Sequence, residues 1–326
     1  MRAHELLRAT PAGLYCPPGD FHIDPTRAVA RAVITHGHSD HARSGHGAVL
    51  ATPATLEMMA LRHGAVRGGQ ALVYNHPVVV NGVTLWLAPA GHVLGSAQVV
   101  LQMAGCRAVV SGDYKRTADP TCPPFEPVAC DVFVSEATFA LPVFRHPPPE
   151  SEIARLLHSA ALFPERCHAI GAYVLGKTQR LIRLLRQAGY ERPIYLQKQA
   201  LAICALYRRH GQDLGTLLPA AGAQPGDLAG AMVLTSGGDL ALPVDTVRGF
   251  ASGWMGIQEH ARRRDCELPL ALSDHADWPE LVMTLRQVAA GETWVTHGRA
   301  DALLRQAKLD GLRVRALADI AGEGGH

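Results

Sequence analysis

The sequence predicts an α/β protein in which one domain is interrupted by an inserted α/β domain. Strand-length apolar runs with polar residues at their ends fill the region from 31 to 138. Helix-like segments alternate with short strands from about 150 to 267, and the strand-then-polar pattern returns after 267. A chain of 326 residues is long enough for two such domains.

The composition is that of a globular protein. Hydrophobic residues make up 48% of the chain and charged residues 18%, and the net charge of +2 neither requires nor excludes a polyanionic partner. The seven cysteines form no C-x-x-C pair, which indicates reduced thiols in a cytosolic protein. The sequence has no signal-peptide pattern in its first twenty residues and no apolar run of transmembrane length. We therefore expect a cytoplasmic protein without a membrane partner.

The first region contains seven short runs rich in Val, Leu and Ala, each of which predicts a strand. These runs are "RAVITH", "GAVLAT", "QALVYN", "VTLWLAPA", "AQVVLQMA", "CRAVVSGD" and "CDVFVSEAT". His36, His92, Asp113 and Glu136 stand at or just after the ends of such runs. Rigid strands often position functional loops at their ends, so we expect a site there.

The middle region alternates helices and strands. "PESEIARLLHSAALF", "LGKTQRLIRLLRQAGY" and "KQALAICALYRRHG" have helical apolar spacing, whereas "HAIGAYVL", "RPIYLQ" and "AGAMVLTS" are typical of strands. The segments "LPLALSDHADW" and "GETWVTHGRADALLRQAKLDGL" then return to the earlier pattern. The predicted segments are 1–150 and 268–326 for the interrupted domain and 151–267 for the insert.

The string His36-Gly37-His38-Ser39-Asp40-His41 predicts a metal site. Imidazole and carboxylate ligands suit borderline divalent ions such as zinc. Two such ions can share a water or phosphate, and four donors are too few for two ions. His92, Asp113 and His297 follow other strand-like runs and complete a set of seven donors around two ions that share one carboxylate. Each of these three alone would be typical of a turn or a surface residue.

This pattern resembles the metallo-β-lactamase superfamily, in which H-x-H-x-D-H is followed by a later His, Asp and His. The resemblance implies an αββα sandwich with two divalent metal ions, zinc or alternatively manganese, at one edge. Asp24 in "FHIDP" matches the first Asp of the superfamily, which is expected to brace the histidine loop.

The rest of the chain is similar to the β-CASP branch, whose members cut RNA or DNA. Glu136 in "VFVSEATF", His275 in "LALSDHADW" and His297 in "VTHG" match the three further motifs of that branch. The segments "PAGHVLGSAQ", "VVSGDYKR" and "FASGWM" are similar to bacterial ligase-associated DNA exonucleases. That likeness implies an ATP-dependent DNA ligase and a helicase as partners. The bulkier "YLQKQAL" departs from the usual cap sequence.

The resemblance also implies a role for each site residue. His36, His38 and His92 would hold one ion, Asp40, His41 and His297 the other, and Asp113 would bridge them. Asp40, His275 and Glu136 are the expected catalytic residues, with His275 as acid or phosphate contact and Glu136 orienting it. Lys115, Arg116 and Lys177 are candidate phosphate contacts. A solvated turn, or the wet face of a cap helix, explains these cations equally well.

The function expected from the resemblance is a DNA exonuclease of DNA repair, acting on single strands or free ends. A β-CASP ribonuclease remains the alternative, because a histidine at the His297 position tends to accompany RNA substrates. A small-molecule hydrolase is disfavoured by Glu136, His275 and the insert. A non-catalytic binding subunit is disfavoured because every metal donor is present.

Overall fold

The computed structural model describes residues 1–224, 226–236 and 240–323, and it confirms the predicted α/β class. The chain divides into two compact units, one formed by Met1–Phe144 with His275–His326 and the other by Arg145–Asp274. Residues 324–326 of the last predicted segment lie outside the described residues. Within the described ranges, no helix combines the length and apolar character that crossing a membrane requires.

The first unit begins with a six-stranded sheet in which the strands follow one another in chain order. Its elements are α1 (Ala3–Leu6), β1 (Arg8–Thr10), β2 (Gly13–Cys16), β3 (Phe21–Ile23), β4 (Arg31–Val33), β5 (Ala48–Ala51), α2 (Pro53–His63) and β6 (Gly69–Ala71). The strands from β3 to β6 run parallel. Helix α2 starts where Thr52 accepts a hydrogen bond from the Thr55 amide and Pro53 fills the first turn.

A second sheet of the same unit follows. It contains β7 (Val78–Val80), β8 (Val83–Pro89), β9 (Ala97–Met103), β10 (Cys106–Val110) and β11 (Val132–Ala137). Strands β7 to β10 pair antiparallel, and β11 pairs parallel to β10. As a result β8, β10 and β11 point in the same direction, and the residues that follow them emerge at one edge of the sheet.

The second unit is a six-stranded sheet in which every pairing is parallel. Its elements are α3 (Pro149–Leu162), β12 (His168–Gly171), α4 (Lys177–Gln187), β13 (Ile194–Leu196), α5 (Lys198–Arg209), β14 (Leu217–Pro219), β15 (Met232–Thr235), β16 (Val247–Ala251), a 3₁₀ turn (Gly253–Gly256), α6 (Gln258–Arg263) and β17 (Leu268–Leu270). The strand order is β14-β13-β15-β12-β16-β17.

After Asp274 the chain re-enters the first unit. The closing elements are α7 (Trp278–Val288), β18 (Glu292–Gly298), α8 (Asp301–Leu309), β19 (Val314–Ala316) and α9 (Leu317–Glu323). Strand β18 lies parallel between β11 and β19. The boundary differs from the predicted one at residue 267, because β17 pairs with β16 and holds 268–274 in the second unit.

The first unit consists of four layers, two of helices and two of sheets. Leu14 and Phe21 from the first sheet pack with Leu85, Val99 and Val134 from the second, which forms the core between the sheets. The opposite face of the second sheet packs against the apolar faces of α7 and α8. The opposite face of the first sheet packs against α2. This helix–sheet–sheet–helix stacking covers both faces of the central strands β9 to β11 and fixes the positions of their ends.

We expect Gly91→Ala, which changes the residue before His92, to destabilise the first unit strongly. Gly91 has a φ of +73°, and an added Cβ would lie 2.4 Å from the carbonyl oxygen of Lys115. The left-handed backbone should cost about 1–2 kcal/mol, and the clash roughly 1–3 kcal/mol more. Urea unfolding measures the loss.

Gly105→Ala is the matched control for this change. Gly105 has a φ of +78° and an added Cβ there would meet no atom within 4 Å among the described residues. This variant should therefore show the backbone cost alone. Equal losses of unfolding free energy in the two variants would contradict the proposed crowding around Gly91.

Candidate metal centre

The histidine loop follows β4 and is braced by one half-buried carboxylate. Asp24 accepts hydrogen bonds from the Thr35 amide (2.8 Å) and the Thr35 hydroxyl (2.6 Å). Its Oδ2 also lies 2.7 Å from Nδ1 of His41. Asp24 has a φ of +44°, in the left-handed region that aspartate tolerates better than most residues. The side chain of Asp24 thus fixes the loop at both ends, at Thr35 and at His41.

The bracing also sets the tautomer of His36. The Thr35 hydroxyl donates to Asp24, so its oxygen is an acceptor for Nδ1 of His36 at 3.0 Å. Nδ1 of His36 then carries the ring proton, and Nε2 presents a lone pair. The imidazole is fully buried, and burial lowers its pKa well below the ordinary value. A neutral ring with a directed lone pair is the form that binds a metal ion.

Three histidines and Asp113 converge on one point. Nδ1 of His38 lies 3.1 Å from Nε2 of His36 and 3.0 Å from Nε2 of His92. Oδ2 of Asp113 lies 3.5 Å from Nε2 of His36, and one ligand atom from each of the four residues falls within 4.8 Å of the others. Buried nitrogens that face one another at this spacing form a donor set for a divalent cation.

A second group of donors adjoins the first on a more exposed side. Nε2 of His41 lies 3.5 Å from Asp113 and 3.7 Å from Asp40, and the His41 and His297 rings are 5.3 Å apart. The side chain of Asp40 is 68% exposed, and His297 is also exposed. Asp113 is thus equally close to His36 and His41. A cavity of about 470 Å³ borders this group and is lined largely by apolar residues from both sheets.

The electrostatics of the centre are dominated by its carboxylates. Burial lowers the pKa of His41, but the carboxylates of Asp24 and Asp113 outweigh it and raise that pKa to about 10. Burial raises the pKa of the Asp113 carboxyl, and the Glu136 carboxylate raises it further. A divalent cation between these groups would relieve the repulsion between the carboxylates.

His275 lies beside the donor set and is held by Glu136. Its Nδ1 is 3.0 and 3.1 Å from the two Glu136 oxygens and 4.0 Å from Asp113. Glu136 also accepts hydrogen bonds from the Tyr114 amide (2.7 Å) and the Thr138 hydroxyl (2.5 Å). Burial raises the pKa of Glu136, but His275 lowers it more, and the net shift is downward. Glu136 therefore remains a carboxylate that orients His275.

The chain is similar to several known proteins. No family model matches the chain. A protein from Opitutus terrae named probable DNA ligase is 26% identical over 333 residues, which cover 94% of this chain and 30% of that protein. Cleavage and polyadenylation specificity factor subunit 3-I of Arabidopsis thaliana is 30% identical over 153 residues, 42% of this chain and 22% of that protein. Endoribonuclease YSH1 of Saccharomyces cerevisiae is 32% identical over 117 residues, 34% of this chain and 15% of that protein.

This chain is a relative of the β-CASP nucleases of the metallo-β-lactamase superfamily. The resemblance drawn from its motifs is confirmed. The chain spans less than a third of the length of each of these three curated relatives. The crystal structure of an Enterococcus faecalis V583 protein of unknown function has the same fold. Its TM-score is 0.59 at 12% identity, over 83% of this chain and 76% of that one.

In this β-CASP relative, the three cations predicted to contact phosphate have partners inside the protein. Lys115 is buried and its Nζ lies 2.8 Å from Glu280. Arg116 donates hydrogen bonds to the side chains of Thr284 and Gln287. Lys177, in the second unit, is also buried, with its Nζ 2.5 Å from Asp274 of the same unit. These side chains thus form ion pairs and hydrogen bonds within the protein, and their contact with phosphate stays a prediction.

Sequence reasoning missed the residues that support the site. Thr35 orients His36, and the Tyr114 amide and Thr138 hydroxyl bind Glu136. Each of them is next to, or two residues from, a residue that the motifs identified. Their role could have been found only by asking which neighbours hold each ligand in place, since most metal-bound histidines have such a partner.

We expect the reconstituted protein to bind about two divalent ions per chain, because its donors form two groups around Asp113. His92→Ala should leave about one ion, whereas Asp113→Ala should weaken both positions, since only this carboxylate approaches both groups. Elemental analysis after dialysis measures the content. A value near zero for a wild-type protein that is folded by circular dichroism would exclude the two-ion centre.

Proposed function

We propose that this protein is a metal-dependent nuclease that hydrolyses phosphodiester bonds in DNA, acting as an exonuclease in DNA repair. The observation that carries the proposal is the His275–Glu136 pair beside the His/Asp donor set. Two ions supply a water of lowered pKa and bind the phosphate oxygens when they are present. An oriented histidine next to them supplies the proton that the leaving oxygen needs.

The donor groups suggest how the ions would be held. We assign His36, His38 and His92 to one ion, Asp40, His41 and His297 to the other, and Asp113 to both. Zinc suits this set of imidazole and carboxylate ligands, and manganese is the alternative. The first unit would then be the metallo-β-lactamase αββα sandwich, and the unit Arg145–Asp274 the inserted β-CASP domain.

The side chains of the centre have separate tasks in this proposal. Asp24 keeps His41 in place through Nδ1. Asp40, whose side chain is 68% exposed, is assigned as a ligand that an entering phosphate can reach from solvent. Glu136 holds Nδ1 of His275, and we assign Nε2 of that ring to carry the proton to the leaving oxygen. The backbone amide of Tyr114 fixes Glu136 in turn.

We propose DNA rather than RNA as the substrate on the strength of one long match. The match that spans 94% of this chain is to a protein named as a DNA ligase, which is about three times as long. A nuclease joined to a ligase could trim ends before they are sealed, so we propose that a DNA ligase, and by resemblance a helicase, acts with this protein. RNA is the second candidate, because several shorter matches are to a polyadenylation factor and to endoribonucleases.

His275→Ala should separate chemistry from metal binding. His275 is assigned to proton transfer, so this variant should keep both ions and its fold but lose roughly a hundredfold or more in turnover. Glu136→Gln should lose less, because the ring remains in contact with a polar side chain. Turnover and metal content are measured on the same preparations.

Two other histidine variants act as controls for His275→Ala. His297→Ala should lose metal as well as activity, since His297 is assigned as a ligand. His76→Ala, which changes an exposed histidine outside the centre, should change neither. Near-normal turnover of His275→Ala, or loss of its metal, would show that the assigned role is wrong.

The choice between DNA and RNA can be tested directly. We expect the zinc- or manganese-loaded protein to degrade single-stranded DNA and overhangs from an end, with little sequence preference, because it would bind the backbone and not the base edges. End-labelled and internally labelled DNA and RNA strands of matched sequence distinguish the alternatives. Cleavage of RNA with no action on any DNA would establish the ribonuclease.

A further inference from the structure

The second unit carries an aromatic and cationic cluster at the carboxyl edge of its sheet. Phe250 lies on β16 in register with Gly171, the last residue of β12. Tyr173 follows two residues after Gly171. In open parallel sheets, ligands bind beyond the carboxyl ends of the strands, because the loops there converge on a crevice. The cluster therefore stands where such a sheet offers a binding surface.

The ring of Phe250 is held between its neighbours. A Cβ on Gly171 would lie 2.4 Å from the Phe250 ring, so only glycine allows the ring to rest against β12. The guanidinium carbon of Arg264 lies 3.7 Å from the centre of the same ring. This distance places the planar guanidinium in stacking contact. Arg264 is exposed and presents a flat, cationic surface to solvent.

Tyr173 adds an exposed aromatic face to the cluster. Its ring centre is 6.5 Å from that of Phe250, at an interplanar angle of 80°, and the residue is 55% exposed. The backbone is nevertheless fixed, since the Tyr173 carbonyl accepts hydrogen bonds from the amide (3.1 Å) and hydroxyl (2.8 Å) of Thr178. An exposed ring on a fixed backbone loses little freedom when a flat group stacks on it.

The electrostatic surroundings favour an anionic ligand. Helix α6 ends directly before Arg264, and all six of its residues are half-buried or exposed. Its last turn contains His260, Arg262 and Arg263. Arg263 pairs with Glu259 at 3.0 Å, so the positive charge is only partly balanced along this helix. Aromatic rings interleaved with arginines are the combination that binds single-stranded nucleic acid.

We propose that Tyr173, Phe250 and Arg264 form a stacking platform for a base of a single-stranded nucleic acid. The platform rests on the proposed nuclease function and names the part of the substrate that the second unit contacts. Stacking uses the face of the base, so it tolerates all bases and agrees with cleavage that has little sequence preference. Unlike a duplex, a single strand exposes its bases, so the platform selects for unpaired substrate.

A second arginine–aromatic pair in the same unit provides a matched control. Phe163 is 41% exposed, and the guanidinium of Arg166 lies 5.1 Å from its ring. This pair lies between α3 and β12, near the amino end of β12. Tyr173 follows the carboxyl end of the same strand. Arg166 also donates to the Asp245 carbonyl and pairs with Glu267. Phe163→Ala removes a comparable exposed ring without touching the proposed platform.

The test measures binding of the metal-loaded protein to a mixed-sequence, phosphorothioate-linked single DNA strand by fluorescence anisotropy. Loss of one stacked base corresponds to about 5- to 100-fold in Kd, so Tyr173→Ala and Arg264→Ala should weaken binding by this amount. Tyr173→Trp should restore stacking, and Arg264→Ala alone should also reduce the salt dependence. Phe163→Ala should bind as the wild type does.

A separate measurement distinguishes the platform from the nuclease. Bis(p-nitrophenyl) phosphate is a minimal diester with no further nucleotides attached to the scissile phosphate, so Tyr173→Ala should hydrolyse it as fast as the wild type while cleaving single-stranded DNA more slowly. If the wild type hydrolyses neither substrate, the proposed function fails, whatever the binding results show. The platform is wrong if Tyr173→Ala and Arg264→Ala bind the strand with the Kd of the wild type, or if the wild type does not bind it. It is also wrong if Phe163→Ala raises the Kd as much as these two variants do.

Discussion

The carboxyl group of Asp113 is buried among other ionisable side chains, and the arrangement of the centre depends on how they balance its charge. Burial and the neighbouring Glu136 both raise the pKa of Asp113, while His41 and His275 lower it. Nε2 of His36 and Nε2 of His41 are each 3.5 Å from its Oδ2. A cation bound here would offset the repulsion between the carboxylates of Asp113 and Glu136. Metal binding would then contribute to the folding free energy of this edge of the unit.

The position of His275 depends on a set of contacts that join two loops. The amide of Ala276 donates to the carbonyl of Tyr114, one residue after Asp113. Lys115 and Thr117 bind Glu280, the residue that also completes the cap of α7 with Asp277. Removing one partner of a buried ion pair typically costs about 3–5 kcal/mol, because the other charge is left without compensation. The Lys115–Glu280 pair therefore helps to fix the distance between Asp113 and His275. This structural role is a reason for a lysine at position 115.

The sequence was sufficient to predict the α/β class, strands such as β8 to β11 and the cluster at their ends, because alternation of short apolar runs with His and Asp is a local pattern. It did not predict β1 to β3, β7 or helix α2. It was not sufficient for the borders of the units. Whether 268–270 belongs to one unit or the other depends on pairing with β16, a contact that no local pattern contains. The departure at "YLQKQAL" is explained in the same way, since Gln197 accepts hydrogen bonds from the amide and hydroxyl of the distant Ser236.

The internal partners of Lys115, Arg116 and Lys177 change the account of substrate binding. A lysine in a buried ion pair could neutralise a phosphate only by breaking that pair, so Lys115 and Lys177 contribute little to attraction of a polyanion. The net charge of +2 adds only a weak general field. Affinity for a nucleic acid would then come mainly from phosphate oxygens bound at the metal centre and from stacked bases. Both interactions are short-ranged, and salt screens stacking little. The Kd should therefore rise less with salt concentration than it does for a protein that binds nucleic acid through many surface lysines.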